Sequence, residues 1–173
     1  MRLLVPLIPA VLLTACAYPE PVRGPSIPLV DAAGQSVGTV SAWQTAGGIS
    51  LKLQASGLPH GIHGIHVHAV GRCDGPKFDS AGPHWNPASR KHGLSNPAGP
   101  HRGDLPNVTV AGNGVLSTIV TVPGSSLTAD SLADADGAAL VIHAKSDDNL
   151  TDPSGSSGDR IACAILVPIR SGM

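Results

Sequence analysis

From Ile27 onward the chain is cut into short runs of β-branched and small apolar residues, separated by breaks rich in Gly, Pro and Asn. The runs read IPLVDA, SVGTVSAWQ, GISLKLQAS, IHGIHVHAV, NVTVAG, VLSTIVTV, ALVIHA and IACAILVPI, and none has the 3.6-residue spacing of an amphipathic helix. Turn signals stand at Ala33-Gly34, Gly47-Gly48 and Gly112-Asn113-Gly114. Eight such strands without a helical partner must bury their apolar faces on one another, so the spacing predicts an all-β antiparallel sandwich or barrel. A length of 173 residues suits one domain with a proper core. Aromatic residues make up only 2% of the chain, which leaves Val, Ile, Leu and Ala to build that core.

The N-terminus belongs to targeting, not to the fold. Arg2 precedes LLVPLIPAVLL and then TAC: a positive start, an apolar stretch and a small-residue exit, as in a secretory signal over residues 1–15. Leu13-Thr14-Ala15-Cys16 resembles a bacterial lipobox, which would make Cys16 a lipidated first residue of the mature chain. Ordinary cleavage after Ala17 is the competing reading, since Ala15-Cys16-Ala17 also fits an A-x-A site. The Pro-rich remainder of residues 16–26 reads as a tether, with the folded domain spanning 27–173. These features place the protein in the bacterial cell envelope, in the periplasm, touching a membrane only through a lipid anchor. Export implies an oxidising compartment in which one pair of the three cysteines can join; a lipidated Cys16 would be the one left over.

Two stretches break the strand rhythm. Residues 72–105 hold five prolines and no strand pattern, and residues 145–160 are polar. Structureless loops of such length in a compact domain are disordered or functional, and the first of them collects His84, His92, His101 and Asp104. A metal would supply the order that secondary structure does not. In the strand Ile65-His66-Val67-His68-Ala69, alternation puts Ile65, Val67 and Ala69 on one face and both histidines on the other. His143 closes the run LVIH in the same way, with Leu140 and Ile142 turned inward. An H-x-H pair alone is weak evidence, but six imidazoles and a carboxylate exceed what one tetrahedral ion takes. Two ions sharing a ligand would use them well.

The segments HGIHVHAVGRC, SAGPHWNP, SRKHG, HRGDLPNV, VIHAKSDD and GDRIACAI resemble, in order and spacing, those of the copper/zinc superoxide dismutases, over roughly Ile27 to Ile169. The resemblance implies an eight-stranded antiparallel Greek-key barrel, an Ig-like sandwich, with two long functional loops. It implies copper held by His66, His68, His84 and His143, and zinc held by His84, His92, His101 and Asp104, with His84 bridging. Asp147 resembles the family aspartate that links His66 to His92, while Asp148 reads as a solvated loop acid. Cys73 and Cys163 match the family's internal disulfide, and Arg160 the guanidinium beside copper. His63 reads as a structural histidine bonding the backbone; His60 is assigned nothing.

The activity so implied is the dismutation of superoxide, a small anion, to dioxygen and hydrogen peroxide. The rival is a non-catalytic copper-binding or copper-delivery module of the same fold, which should lack a copper ligand or the arginine. A formal charge of −1 offers no field for nucleic acid. The acidic residues of 145–160, Asp147, Asp148, Asp152 and Asp159, give that loop no clear basic rim for steering an anion. Few aromatics mark a subunit contact, so a homodimer and a monomer are both open.

Overall fold

The computed structural model describes residues 24–124, 132 and 134–166. The signal segment 1–15, Cys16, most of the tether and residues 167–169 of the last apolar run lie outside the described residues. Among these residues nine strands follow one another: β1 (Ser26–Asp31), β2 (Ser36–Thr45), β3 (Gly48–Ala55), β4 (Gly61–His63), β5 (Ile65–His68), β6 (Val108–Val110), β7 (Leu116–Pro123), β8 (Ala138–His143) and β9 (Arg160–Leu166). The one helical element among the described residues is a 3-10 turn, Asp79–Ala81.

Seven strands form one antiparallel sheet in the order β5-β8-β9-β1-β2-β3-β7, and β4 pairs with β6 in a two-stranded ribbon. The ribbon continues into both edges of the sheet. β4 runs into β5 through Gly64, and β6 turns into β7 where Ala111 N–H donates to the Val115 carbonyl at 2.9 Å. The non-sequential neighbours β9-β1, β3-β7 and β5-β8 are crossovers of the Greek-key kind.

Among the described residues each of the eight apolar runs becomes strand, but the run IHGIHVHAV breaks in two at Gly64, which gives nine strands there instead of eight. A Cβ on Gly64 would come within 3.0 Å of Ser157 Cβ and 3.2 Å of Asp147 Cβ, so the break is where the second long loop packs onto the barrel. The run also ends early. Ala69 lies beyond β5 and is only partly buried, lining the cavity beside His68 instead of filling the barrel as its alternation predicts.

Elsewhere the alternation holds. Ile65, Val67, Leu140, Ile142, Ala162 and Ala164 join the main core with Leu29, Ile49, Leu51 and Leu53. On the opposite face of the same strands, Ala139, Val141 and Cys163 pack with Phe78 and Ala81 in a second, small cluster. His66 faces Val141 and His68 faces Ala139 across the β5-β8 ladder. Both histidines therefore stand on the outer wall, yet both are buried, because the two long loops cover them.

Candidate metal centre

β5 pairs with β8 along one edge and would otherwise expose the other. The first loop covers it through isolated bridges, His66 with Asp104 and His68 with His84. Val67 N–H donates to Gly103 O and Trp85 N–H to Val67 O, both at 2.8 Å, and Gly103 N–H donates to Trp85 O at 2.9 Å. No side chain is tolerated at 103, where a Cβ would fall 3.1 Å from Trp85 N and closer still to the Val67 carbonyl. This packing brings loop residues His84 and Asp104 beside strand residues His66 and His68.

The ring nitrogens sort into two sets. His66 Nδ1, His68 Nε2, His84 Nε2 and His143 Nε2 are buried without a hydrogen-bond partner. Their four residues offer donor atoms all within 4.8 Å of one another. Four orphaned buried nitrogens aimed at one spot are costly unless something binds them. A tetragonal ion with metal–nitrogen bonds near 2 Å needs trans nitrogens about 4 Å apart, which this set allows.

Every other nitrogen of the four is fixed. His66 Nε2 lies 2.7 Å from Asp147 Oδ2, His68 Nδ1 2.8 Å from Gly82 O, His84 Nδ1 2.9 Å from Asp104 Oδ1, and His143 Nδ1 3.1 Å from Gly158 O. Such partners set the tautomer and aim the free lone pair. Burial lowers His66, takes His68 down to about 2, and takes His84 and His143 to about 4. All four are thus neutral at pH 7, as metal ligation requires.

The second set gathers around Asp104 Oδ1. His84 Nδ1 lies 2.9 Å from it, His92 Nδ1 3.0 Å and His101 Nδ1 3.3 Å, while His84 Nδ1 and His101 Nδ1 are 3.4 Å apart. The edge of a tetrahedron drawn around zinc with bonds of 2.0–2.1 Å is about 3.3 Å, so these separations fit that ion. By mutual donor distance alone, His66 joins His84, His92 and Asp104 in place of His101. His66 is committed elsewhere, with one nitrogen on Asp147 and the other in the first set, so His101 completes the second.

Burial would raise both carboxylates, but their imidazole partners hold Asp104 and Asp147 well below the usual range. Burial would lower His92, yet Asp104 and Asp147 together raise it to about 9. Asp147 joins the two sets, with Oδ2 on His66 and Oδ1 3.1 Å from His92 Nε2. Its neighbour Asp148 is exposed and caps a turn, accepting from Leu150 N–H and Thr151 N–H. His63 is buried with Nδ1 2.7 Å from His143 O and Nε2 2.9 Å from Pro59 O, bracing the backbone of a site histidine. His60 is exposed.

Arg160 begins β9, and its guanidinium donates from Nη1 to Phe78 O at 2.6 Å and from Nη2 to Gly82 O at 2.8 Å. The Cys73–Cys163 disulfide, with Cα atoms 5.7 Å apart, ties this turn to β9, and buried Phe78 anchors it from below. Arg160, His68, His84 and His143 line one cavity of about 900 Å³.

Several supporting residues carry no signal in the sequence. Asn107 grips the Asp147 backbone from both sides, accepting its N–H and donating to its carbonyl, each at 2.8 Å. Asp152 accepts from His92 N–H at 2.8 Å and from Lys91 Nζ at 2.9 Å. A Cβ on Gly155 would strike the Asp147 carboxylate. The hydrogen bonds of Asn107 and Asp152 join residues 40 to 61 positions apart, beyond the reach of any local pattern.

Residues 36–166 match the family model described as copper/zinc superoxide dismutase. The chain is 42% identical over 144 residues to superoxide dismutase [Cu-Zn] 1 of Aquifex aeolicus, covering 80% of this chain and 84% of that protein. Among solved structures, it is similar to a SOD-like protein from Bacillus subtilis (39% identity, TM-score 0.79, 83% of this chain and 99% of that one). It is also similar to the Cu/Zn superoxide dismutase of Brucella abortus (28% identity, TM-score 0.69, 83% and 99%). With the two donor sets standing on the outer wall of a β-barrel and the match running across nearly all of it, the chain belongs to the copper/zinc superoxide dismutase family.

Proposed function

We propose that His66, His68, His84 and His143 hold copper, that His84, His92, His101 and Asp104 hold zinc, and that His84 is shared between them. The protein is a superoxide dismutase with copper and zinc as its cofactors: two superoxide anions and two protons become dioxygen and hydrogen peroxide. When bound, copper supplies the one-electron couple that takes an electron from one superoxide and returns it to the next. The single observation that carries the ligand assignment is His84, whose Nε2 lies without a partner in the first set while its Nδ1 sits 2.9 Å from Asp104 Oδ1 in the second.

The chain's own residues do the rest. Arg160 presents a fixed, permanently charged fork beside the first set, where a small anion docks. His84 Nε2 holds the proton passed to the reduced oxygen species, while Nδ1 stays with Asp104, His92 and His101. Zinc held by the second set would lower the proton affinity of His84, so that Nε2 could give that proton up again. Asp147 keeps His66 and His92 in register, so the two sets move as one body.

His84→Ala is expected to lose most dismutation in metal-reconstituted protein and to disturb both ions; an unchanged copper spectrum in that variant overturns the bridge. We also assign residues 1–15 to an export signal, Cys16 to a lipid anchor in the bacterial periplasm, 16–26 to a tether and 27–173 to the domain, supported by the lipobox-like Leu13-Thr14-Ala15-Cys16. Mass spectrometry of the mature N-terminus tests this, and an unmodified chain beginning at Tyr18 refutes it.

A further inference from the structure

The four residues of the second set are not held alike. His84 and Asp104 are pinned to β5 by their bridges to His68 and His66, and His101 N–H donates to Asp104 Oδ2 at 2.9 Å. His92 lies in the first loop, far from both strands that bound it, with β5 ending at His68 and β6 beginning at Val108. The peptide leaving it is held by Asp104 Oδ2, which accepts from Gly93 N–H at 2.8 Å. The peptide entering it is held from the second loop, where Asp152 Oδ1 accepts from His92 N–H at 2.8 Å.

Asp152 thus works beside Asp147: one carboxylate of the second loop takes the His92 ring, the other its backbone. Two further contacts fasten the same segments, Ser95 N–H on Asn149 O at 2.9 Å and Asn96 Nδ2 on Leu150 O at 3.2 Å. The other oxygen of Asp152 is a weaker holdfast. Oδ2 meets Lys91 Nζ at 2.9 Å, but that ion pair stands in solvent, with the lysine side chain 64% and the aspartate 39% exposed. Exposed pairs contribute little, whereas a carboxylate on a partly buried N–H makes a charge-assisted bond.

We infer that Asp152 is a positioning residue for His92, and that its Oδ1, not its ion pair, sets how long zinc stays in the second set. The inference rests on the zinc assignment above. A ligand carried on a long loop lets go of its metal when its backbone swings away, and a bond behind the ligand slows that step.

Asp152 also lines the cavity beside the first set, so a change there alters dismutation through its charge as well; zinc release and amide exchange read the positioning instead. The copper- and zinc-loaded full chain is mixed with an excess of a zinc-binding dye, and release is followed by absorbance. Hydrogen exchange at the His92 amide is followed in the metal-free chain. Asp152→Ala is expected to speed both about 10-fold. Asp152→Asn keeps an oxygen for His92 N–H and should stay within about 3-fold of the parent, and Lys91→Met, which loses the ion pair alone, within about 2-fold. Asp159→Asn removes the same charge from an exposed acid at the other end of the loop and is expected to alter neither. Parental zinc release or parental His92 exchange in Asp152→Ala overturns the inference, as does an effect of equal size in Lys91→Met or Asp159→Asn. A parent chain that holds no zinc, with His92 exchange still dependent on Asp152, would remove the zinc assignment and leave the positioning of His92 standing.

Discussion

Gly155→Ala is the most demanding test of the arrangement around Asp147. Gly155 has φ +62 and lies so close that a Cβ there would collide with Asp147 Oδ1 and stand 2.5 Å from its Cγ and 2.8 Å from His92 Nε2. The left-handed backbone alone costs an alanine about 1 kcal/mol. Gly34→Ala, at φ +78 with open space around it, measures that cost by itself. The excess at 155 comes from the carboxylate. Asp147 cannot slide aside, since its backbone is clamped by Asn107 and its Oδ1 also accepts from Asn149 N–H at 2.6 Å. Displacing it strands His66 Nε2 and His92 Nε2, both buried, at about 1 to 3 kcal/mol each. Zinc affinity should fall 10- to 100-fold, roughly the penalty of losing a partner behind a ligand. Competition with a chelator of known zinc affinity reads the effect, and copper paramagnetic resonance reports whether His66 has turned. An alanine variant with parental zinc affinity and an unmoved copper signal would show that Asp147 does not hold the two sets in register.

The metal-free protein should lose stability on acidification between about pH 6.5 and 4. The imidazoles of His84 and His143 are about 4 when folded, so between those values the unfolded chain binds more protons and acid favours it, by about 3 kcal/mol for His143 at the limit. Denaturant midpoints across that range check it, and a flat profile would contradict the burial argument. His92 has the opposite sign. Raised to about 9, its contribution is complete below pH 6.5 and fades as pH climbs through 9, so zinc uptake at pH 7.5 should release a proton that pH-indicator dye detects. Replacing both Cys73 and Cys163 by serine opens a connection across 90 residues and should cost about 4 to 5 kcal/mol in the chain-entropy account. An unchanged unfolding midpoint would refute it.

Alternation along a strand is a local property, and it carried a good deal. Ile65 and Val67 inward, His66 and His68 outward, and Leu140 and Ile142 opposite His143 could all be read from the order of the letters. Ala69 could not, because where β5 stops is decided by contacts with Pro83 and the loop beyond it. The interruption at Gly64 has the same origin, in Ser157 and Asp147 some ninety positions later in the chain. Arg90 and Lys91 line the cavity beside the first donor set because the fold carries the first loop there, a placement that the composition of 145–160 does not reveal. Asn107 and Asp152 act through backbone groups of distant partners, and no spacing rule announces such a role.

The Gly82 carbonyl accepts from His68 Nδ1 and from Arg160 Nη2 at once. A single oxygen atom therefore couples the orientation of a proposed copper ligand to the cation proposed to meet the substrate, and neither can be retuned in isolation. Replacing Arg160 to change anion preference would also free one lone pair on that oxygen and loosen the imidazole it steadies, so selectivity and reduction potential should drift together in any attempt to redesign this pocket.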